Sequence, residues 1–196
     1  MKTVLVVLIF AASQTVLADI TENYGWEGTE TILGNYGDII ATIDSDPVHS
    51  GSQSLRLEDA AASGTPQAFV AWVTGLNNGD VVTGSFWRYD TTPGTSPSCR
   101  IWAHWNDDPG DINAYNGSAS GQTDYGPGTG WDEATYTWTV DAGHTGLVIE
   151  CRTYSSAGDI VWIDDMTITA PNGATIHTPG NVAFENGTWA DIKAAF

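Results

Sequence analysis

Basic residues are scarce in this 196-residue chain: six Lys plus Arg stand against 24 Asp plus Glu, a formal net charge of −18. That field repels nucleic acid and anionic lipid, and it leaves neutral ligands, metal cations and cationic partners. Methionine stops at two residues, and beyond the first 18 residues no segment carries apolar side chains at helical spacing over three turns. Both facts argue against a helical bundle. No apolar run reaches the roughly 20 residues that a membrane-spanning helix needs. Cysteine also stops at two. Glycine (22 residues), tryptophan (nine) and tyrosine (seven) are abundant instead. Many turn-forming glycines between short segments suit a chain of strands, and 41% hydrophobic residues suffice for a packed core.

The first residues read as an address and not as fold. Lys2 is followed by an unbroken apolar run over 4–10, and Val16, Leu17 and Ala18 offer small residues at the positions a signal peptidase reads. A signal peptide over 1–18 is expected, with a secreted, extracellular product. An oxidising compartment bears on the two cysteines, because each sits in a strand-like segment. A disulfide between Cys99 and Cys151 is expected; two buried thiols are the other reading.

Strands are expected over 38–43, 54–58, 67–74, 80–89, 98–105, 132–140, 146–154 and 160–169. Turn signals such as Asn77-Asn78-Gly79, Asp108-Pro109-Gly110 and Gly126-Pro127-Gly128 separate them. Eight strands with so little helix indicate an all-β sandwich of two antiparallel sheets over 19–170. Residues 171–196 read as a Pro/Gly/Asn-rich linker and a tail. In that tail Trp189, Ile192 and Phe196 fall at helical spacing, so a short amphipathic helix that docks a partner, or the domain itself, is expected.

Alternation within strands sorts side chains onto two faces. Cys99, Ile101, Ala103 and Trp105 share one face of their strand; Arg100, Trp102 and His104 share the other. Leu147, Ile149, Cys151 and Thr153 oppose Val148, Glu150, Arg152 and Tyr154 in the same way. If the cysteines face the core, an outer face carries Arg100, Trp102, His104, Glu150, Arg152 and Tyr154, and Trp87 and Tyr89 join them from the strand before. Flat rings stack on the apolar faces of sugars, while Arg, Glu and His bond vicinal hydroxyls. This set is the expected ligand site, for a polysaccharide or other glycan. The competing reading makes the rings core or edge residues covered by loops.

Three stretches resemble secreted carbohydrate-binding modules of the galactose-binding-like jelly-roll type. They are Tyr24-Gly25-Trp26-Glu27-Gly28-Thr29, His49-Ser50-Gly51-Ser52-Gln53-Ser54-Leu55-Arg56-Leu57, and Val161-Trp162-Ile163-Asp164-Asp165-Met166-Thr167-Ile168. The first has Trp26 where that family commonly has Phe. The resemblance implies a jelly roll whose N- and C-terminal strands are adjacent. It also implies one structural calcium site built from these stretches, since Ca²⁺ takes six to eight hard oxygen ligands. On matching positions the ligands would be Glu27 and Asp165, with Asp164, Asp46, Ser52 and the Gly51 carbonyl as further candidates. Otherwise these acids belong to a solvated surface.

A second acidic stretch, Asn106-Asp107-Asp108-Pro109-Gly110-Asp111, lacks the terminal Glu of a helix-flanked calcium loop and reads as a solvated turn. Catalysis has little support. No Gly-x-Ser-x-Gly elbow and no His-Glu-x-x-His occur, and no pair of carboxylates alternates along one strand as a glycosidase would use. The expectation is a secreted, non-catalytic glycan-binding module. An extracellular structural or adhesion module, and a polysaccharide lyase or glycoside hydrolase of the same fold, are the alternatives.

Overall fold

The computed structural model describes residues 18–91, 99–154 and 156–181. The expected signal peptide and most of the expected tail lie outside the described residues. Twelve strands are present among those described: β1 Ile20–Tyr24, β2 Gly34–Tyr36, β3 Ile39–Asp44, β4 Ser54–Asp59, β5 Gln67–Thr74, β6 Val81–Asp90, β7 Cys99–Trp105, β8 Ser118–Gly121, β9 Gly130–Thr139, β10 Gly146–Thr153, β11 Ile160–Ala170 and β12 Thr175–His177. One sheet runs β3-β4-β11-β6-β9, with β1 alongside β11; the other runs β12-β5-β10-β7-β8, with β2 alongside β5. Every pairing is antiparallel. The architecture is the expected all-β sandwich, and the first strand, β1, lies beside β11, with Ile20 opposite Ala170.

The period-two pattern explains the sandwich. Along β6, Val82 and Phe86 are fully buried while Thr83, Ser85, Trp87 and Tyr89 alternate outward. Leu55, Leu57, Ile163, Met166 and Ile168 from the first sheet meet Val73, Ile101, Leu147 and Ile149 from the second in one core. Each such side chain contributes roughly 1.5–3 kcal/mol by leaving water.

Two irregularities re-aim side chains. In β5 the register against β10 skips Val70: Ile149 pairs Ala71 and Glu150 pairs Phe69. Val70 and Ala71 both enter the core, and Phe69 and Trp72 both face outward with Val148 in a small second cluster. A bulge does this because the extra residue resets the alternation. In β11 the register against β6 shifts between Asp164 and Thr167, and Asp165 takes φ +46°.

The chain past Ala170 is not free linker. β12 pairs with β5, Ile176 opposite Val73, and Ile176 is buried. The expected disulfide is not formed: Cys99 and Cys151 are free and buried. Both face the core, but Cys99 lies opposite Thr153 and Cys151 opposite Ile101. Diagonal positions on paired strands sit about 7–8 Å apart, outside the usual Cα separation of a disulfide, at most about 6.8 Å. The two thiols touch through a side-chain hydrogen bond, and burial, reinforced by that contact, pushes the Cys151 thiol well above its ordinary range.

Candidate functional site

Four strands (β2, β5, β10 and β7) and a loop build a cleft on the outer face of the second sheet. Side chains there line up across strands in register. One row runs Tyr36, Gln67, Arg152 and Arg100. The next runs Phe69, Glu150 and Trp102, and the next Trp72, Val148 and His104. The cleft has a volume of about 600 Å³ and is lined by Asn35, Tyr36, Gln67, Phe69, His104, Asn113, Tyr115 and Arg152. That size suits a small ligand or a few residues of a polymer. Tyr36 and Tyr115 line it while staying 65% exposed.

The polar floor is held from beneath. Glu150 is fully buried. One of its oxygens bonds His104 Nδ1 at 2.6 Å; the other accepts from Arg152 Nε and Nη2 at 3.2 and 3.0 Å. With the Gln67 amide turned to suit its neighbours, its NH2 donates to Glu150 and its oxygen accepts from Arg152. A buried carboxylate is tolerated only when paired and hydrogen-bonded, and this one is saturated. It fixes the two groups that line the cleft, His104 and Arg152. His104 also packs edge-on to Phe69 and beside Tyr115, with ring centroids 5.1 and 5.5 Å apart.

The residues expected to form one ligand face divide three ways. His104, Glu150 and Arg152 come together at the cleft. Arg100, Trp102 and Tyr154 are on the same face but do not line it. Trp102 is flanked by two guanidinium groups, Arg152 at 4.7 Å and Arg100 at 5.3 Å from its ring centroid, and donates Nε1–H to Ser118 Oγ at 3.0 Å. Tyr154 lies under Arg100 at 3.9 Å. Trp87 and Tyr89 do not join the face at all, because β6 belongs to the first sheet and they point from the opposite side of the sandwich. There Trp87 stacks on His49 at 4.0 Å, and Tyr89 packs between Trp131 and Trp162. The two tyrosines of the cleft, Tyr36 and Tyr115, were not expected. Each is a single aromatic set between polar and turn-forming residues, Asn35 and Gly37 for Tyr36 and Asn113 and Asn116 for Tyr115, and that is the signal that marks it.

The stretches that suggested calcium also converge. Glu27 follows β1 and accepts from Ser52 N at 2.9 Å, Ser52 Oγ at 2.6 Å and Gln53 N at 3.3 Å. The Ser52 bonds, side chain first, hold its carboxyl below the usual range. Gly51, at φ +69°, lies so close that a Cβ there would collide with the Glu27 carboxylate. Asp164 is fully buried and accepts from His49 N and Ser50 N at 2.9 and 3.2 Å; burial nevertheless raises its pKa. Asp165 bonds His49 Nδ1 at 2.6 Å and Ser50 Oγ at 2.7 Å. The β11 irregularity thus turns both aspartates to the same loop, where simple alternation would have sent one inward and one outward. Asp46 is exposed, and its N–H points to Asp44. The oxygen chemistry fits a hard cation. Among the described residues no three His, Cys, Asp or Glu side chains are grouped to hold a metal, so an ion here would also draw on hydroxyl and carbonyl oxygens.

No family model matches the chain, and no curated protein matches it in sequence. Solved structures match it in shape. The CBM22-1 xylan-binding domain of Paenibacillus barcinonensis Xyn10C superposes with a TM-score of 0.52 at 16% identity, over 79% of this chain and 96% of that domain. The chain shares the two-sheet β-sandwich fold of that domain. The CBM22-1–CBM22-2 tandem of the same protein gives 0.55 at 14% identity, over 82% of this chain and 48% of the tandem. The CBM22-1–GH10 modules of Clostridium thermocellum Xyn10B, complexed with xylohexaose, give 0.51 at 16% identity, over 77% of this chain and 28% of that one. No helix among the described residues is long and apolar enough to cross a membrane.

Proposed function

We propose that this jelly roll is an exported, non-catalytic module that binds a glycan chain in the cleft between Tyr36 and Tyr115. The carrying observation is two tyrosines, each 65% exposed, lining a cleft whose floor offers amide, imidazole and guanidinium groups locked by Glu150. Rings take the apolar faces of sugars, and fixed donors and acceptors take the hydroxyls. The structural neighbours that bind xylan make a β-linked xylan the first ligand to test. The cleft lining holds no carboxylate, and the one beneath it has both oxygens engaged, so the two-carboxylate chemistry of a glycosidase has no place there.

Glu27, Asp164 and Asp165, with Ser52 and the Gly51 carbonyl, would hold a structural calcium ion. It would neutralise the acids that join the start of the sandwich to β11. Affinity electrophoresis through xylan tests the binding function. Wild-type protein is retarded, and Tyr36→Ala with Tyr115→Ala migrates as in a blank gel while keeping its circular dichroism. Retardation unchanged in the double variant, or release of reducing or unsaturated ends by the wild type, contradicts the reading.

A further inference from the structure

The charges around the cleft are unevenly partnered. Three of the four arginines are ion-paired: Arg56 with Glu58, Arg88 with Asp132 and Arg152 with Glu150. Arg100 is in no ion pair among the described residues. Its one hydrogen bond among them is from Nη1 to the Thr123 carbonyl, at 3.4 Å, and its Nε is buried without a partner. The neighbouring stretch 92–98 contains no acidic residue. Arg100 also stands directly opposite Arg152 in the β7–β10 register, an arrangement of like charges that destabilises a sheet unless something offsets it. Glu150, the acid on the diagonal of that pairing, has its oxygens committed to Arg152 and His104. The result is a spot of surplus positive charge on a protein of net charge −18. The Arg100 guanidinium is held among three rings, Tyr154 at 3.9 Å, Tyr125 at 4.4 Å and Trp102 at 5.3 Å.

Arg100 continues the row Tyr36, Gln67, Arg152 one strand beyond the cleft. A chain lying across the strands from Tyr36 reaches it after three strand spacings, about 14 Å. We propose that Arg100 and Arg152 form a carboxylate subsite, which makes the ligand a largely neutral glycan bearing isolated uronic-acid residues. This rests on the cleft being the glycan site. A guanidinium presents a planar fork matched to a carboxylate, and rings on its faces hold that fork in place. The protein's overall charge repels a dense polyuronate, but screening over about 8 Å at physiological salt leaves a single local pair intact.

Isothermal titration of two probes tests this: a linear neutral xylo-oligosaccharide and the same backbone bearing one glucuronic-acid branch. The branched probe binds wild-type protein about ten-fold tighter at low salt, the worth of one charge-assisted contact, and the preference shrinks as salt rises. In Arg100→Gln the ratio of the two affinities falls to about one. In Arg100→Lys, which keeps the charge and loses the fork, it falls part of the way. Equal affinities for wild type, a ratio indifferent to salt, or a ratio preserved in Arg100→Gln overturns the subsite and leaves the cleft reading standing. Failure of wild type to bind either probe removes the cleft reading itself, and the subsite with it.

Discussion

Replacing Glu150 by Gln tests whether the buried carboxylate holds the cleft floor. The side chain keeps its volume and loses its charge and one acceptor. Glu150 now takes three charge-assisted bonds, one with His104 and two from Arg152. Such bonds are worth roughly 1.5–3 kcal/mol each, and removing one partner of a buried pair costs roughly 3–5 kcal/mol. The imidazole can change tautomer and accept from the new amide NH2, so the loss falls mainly on Arg152, left with an uncompensated charge. A destabilisation near the lower bound, about 3 kcal/mol, is expected. For a domain of this size that lowers the melting temperature by roughly 6–12 °C. Urea unfolding of wild type, Glu150→Gln, Arg152→Met and the double variant gives the coupling directly. In the Arg152→Met background the Glu150→Gln step should be much cheaper, because the stranded charge is gone. A Glu150→Gln loss below about 1 kcal/mol, or equal losses in the two backgrounds, refutes the argument.

Three further outcomes follow from other parts of the molecule. Burial beside Trp72 holds His177 below its ordinary pKa of 6.5. The unfolded chain therefore takes up that proton first, and stability falls as pH drops below 6.5 through the lowered native value. His177→Gln should flatten that part of a urea-midpoint profile, and an unchanged profile contradicts it. Calcium at 100 times its dissociation constant should stabilise the fold by about 2.7 kcal/mol, read as a melting shift that Glu27→Gln removes. No shift between calcium and chelator rules out the ion. Cys99 and Cys151 should be unreactive to a thiol reagent in the native state and both react on unfolding without reductant; no reaction on unfolding would reveal a bridge.

Most of the sandwich is legible in the sequence through its long strands. Along β6 and much of β7 apolar residues alternate inward with outward-facing ones and burial follows that pattern, while β5 and β10 are near-continuous apolar runs that read as central strands by their length and flanking turns. β1 is polar and sits beside only the end of β11, while β2, β8 and β12 run for three or four residues. Such pieces are strands only because a longer neighbour offers them backbone partners. Alternation also gives the face of a strand but not the sheet the strand joins. For that reason alternation alone groups Trp87 and Tyr89 with a face that lies across the core from them. His104, Glu150 and Arg152 are legible because β7 and β10 are neighbours, as their matching cysteine-bearing patterns suggest. Stacking of Arg100 and Arg152 on Trp102 depends on the meeting of separate strands, and nothing local announces it. The acidic loop 106–111 looked like a plain turn, and its Asx turns are real. The loop that carries Tyr115 nonetheless walls the cleft.

The central claim is that the glycan lies on the second sheet, between Tyr36 and Tyr115 and above Glu150. A crystal structure with a bound xylo-oligosaccharide tests it most directly. Sugar rings should stack on the two tyrosines, with hydroxyls bonded to Arg152, Gln67 or His104. Density instead on the opposite sheet, over Trp87, Tyr89 and Trp131, would contradict the account.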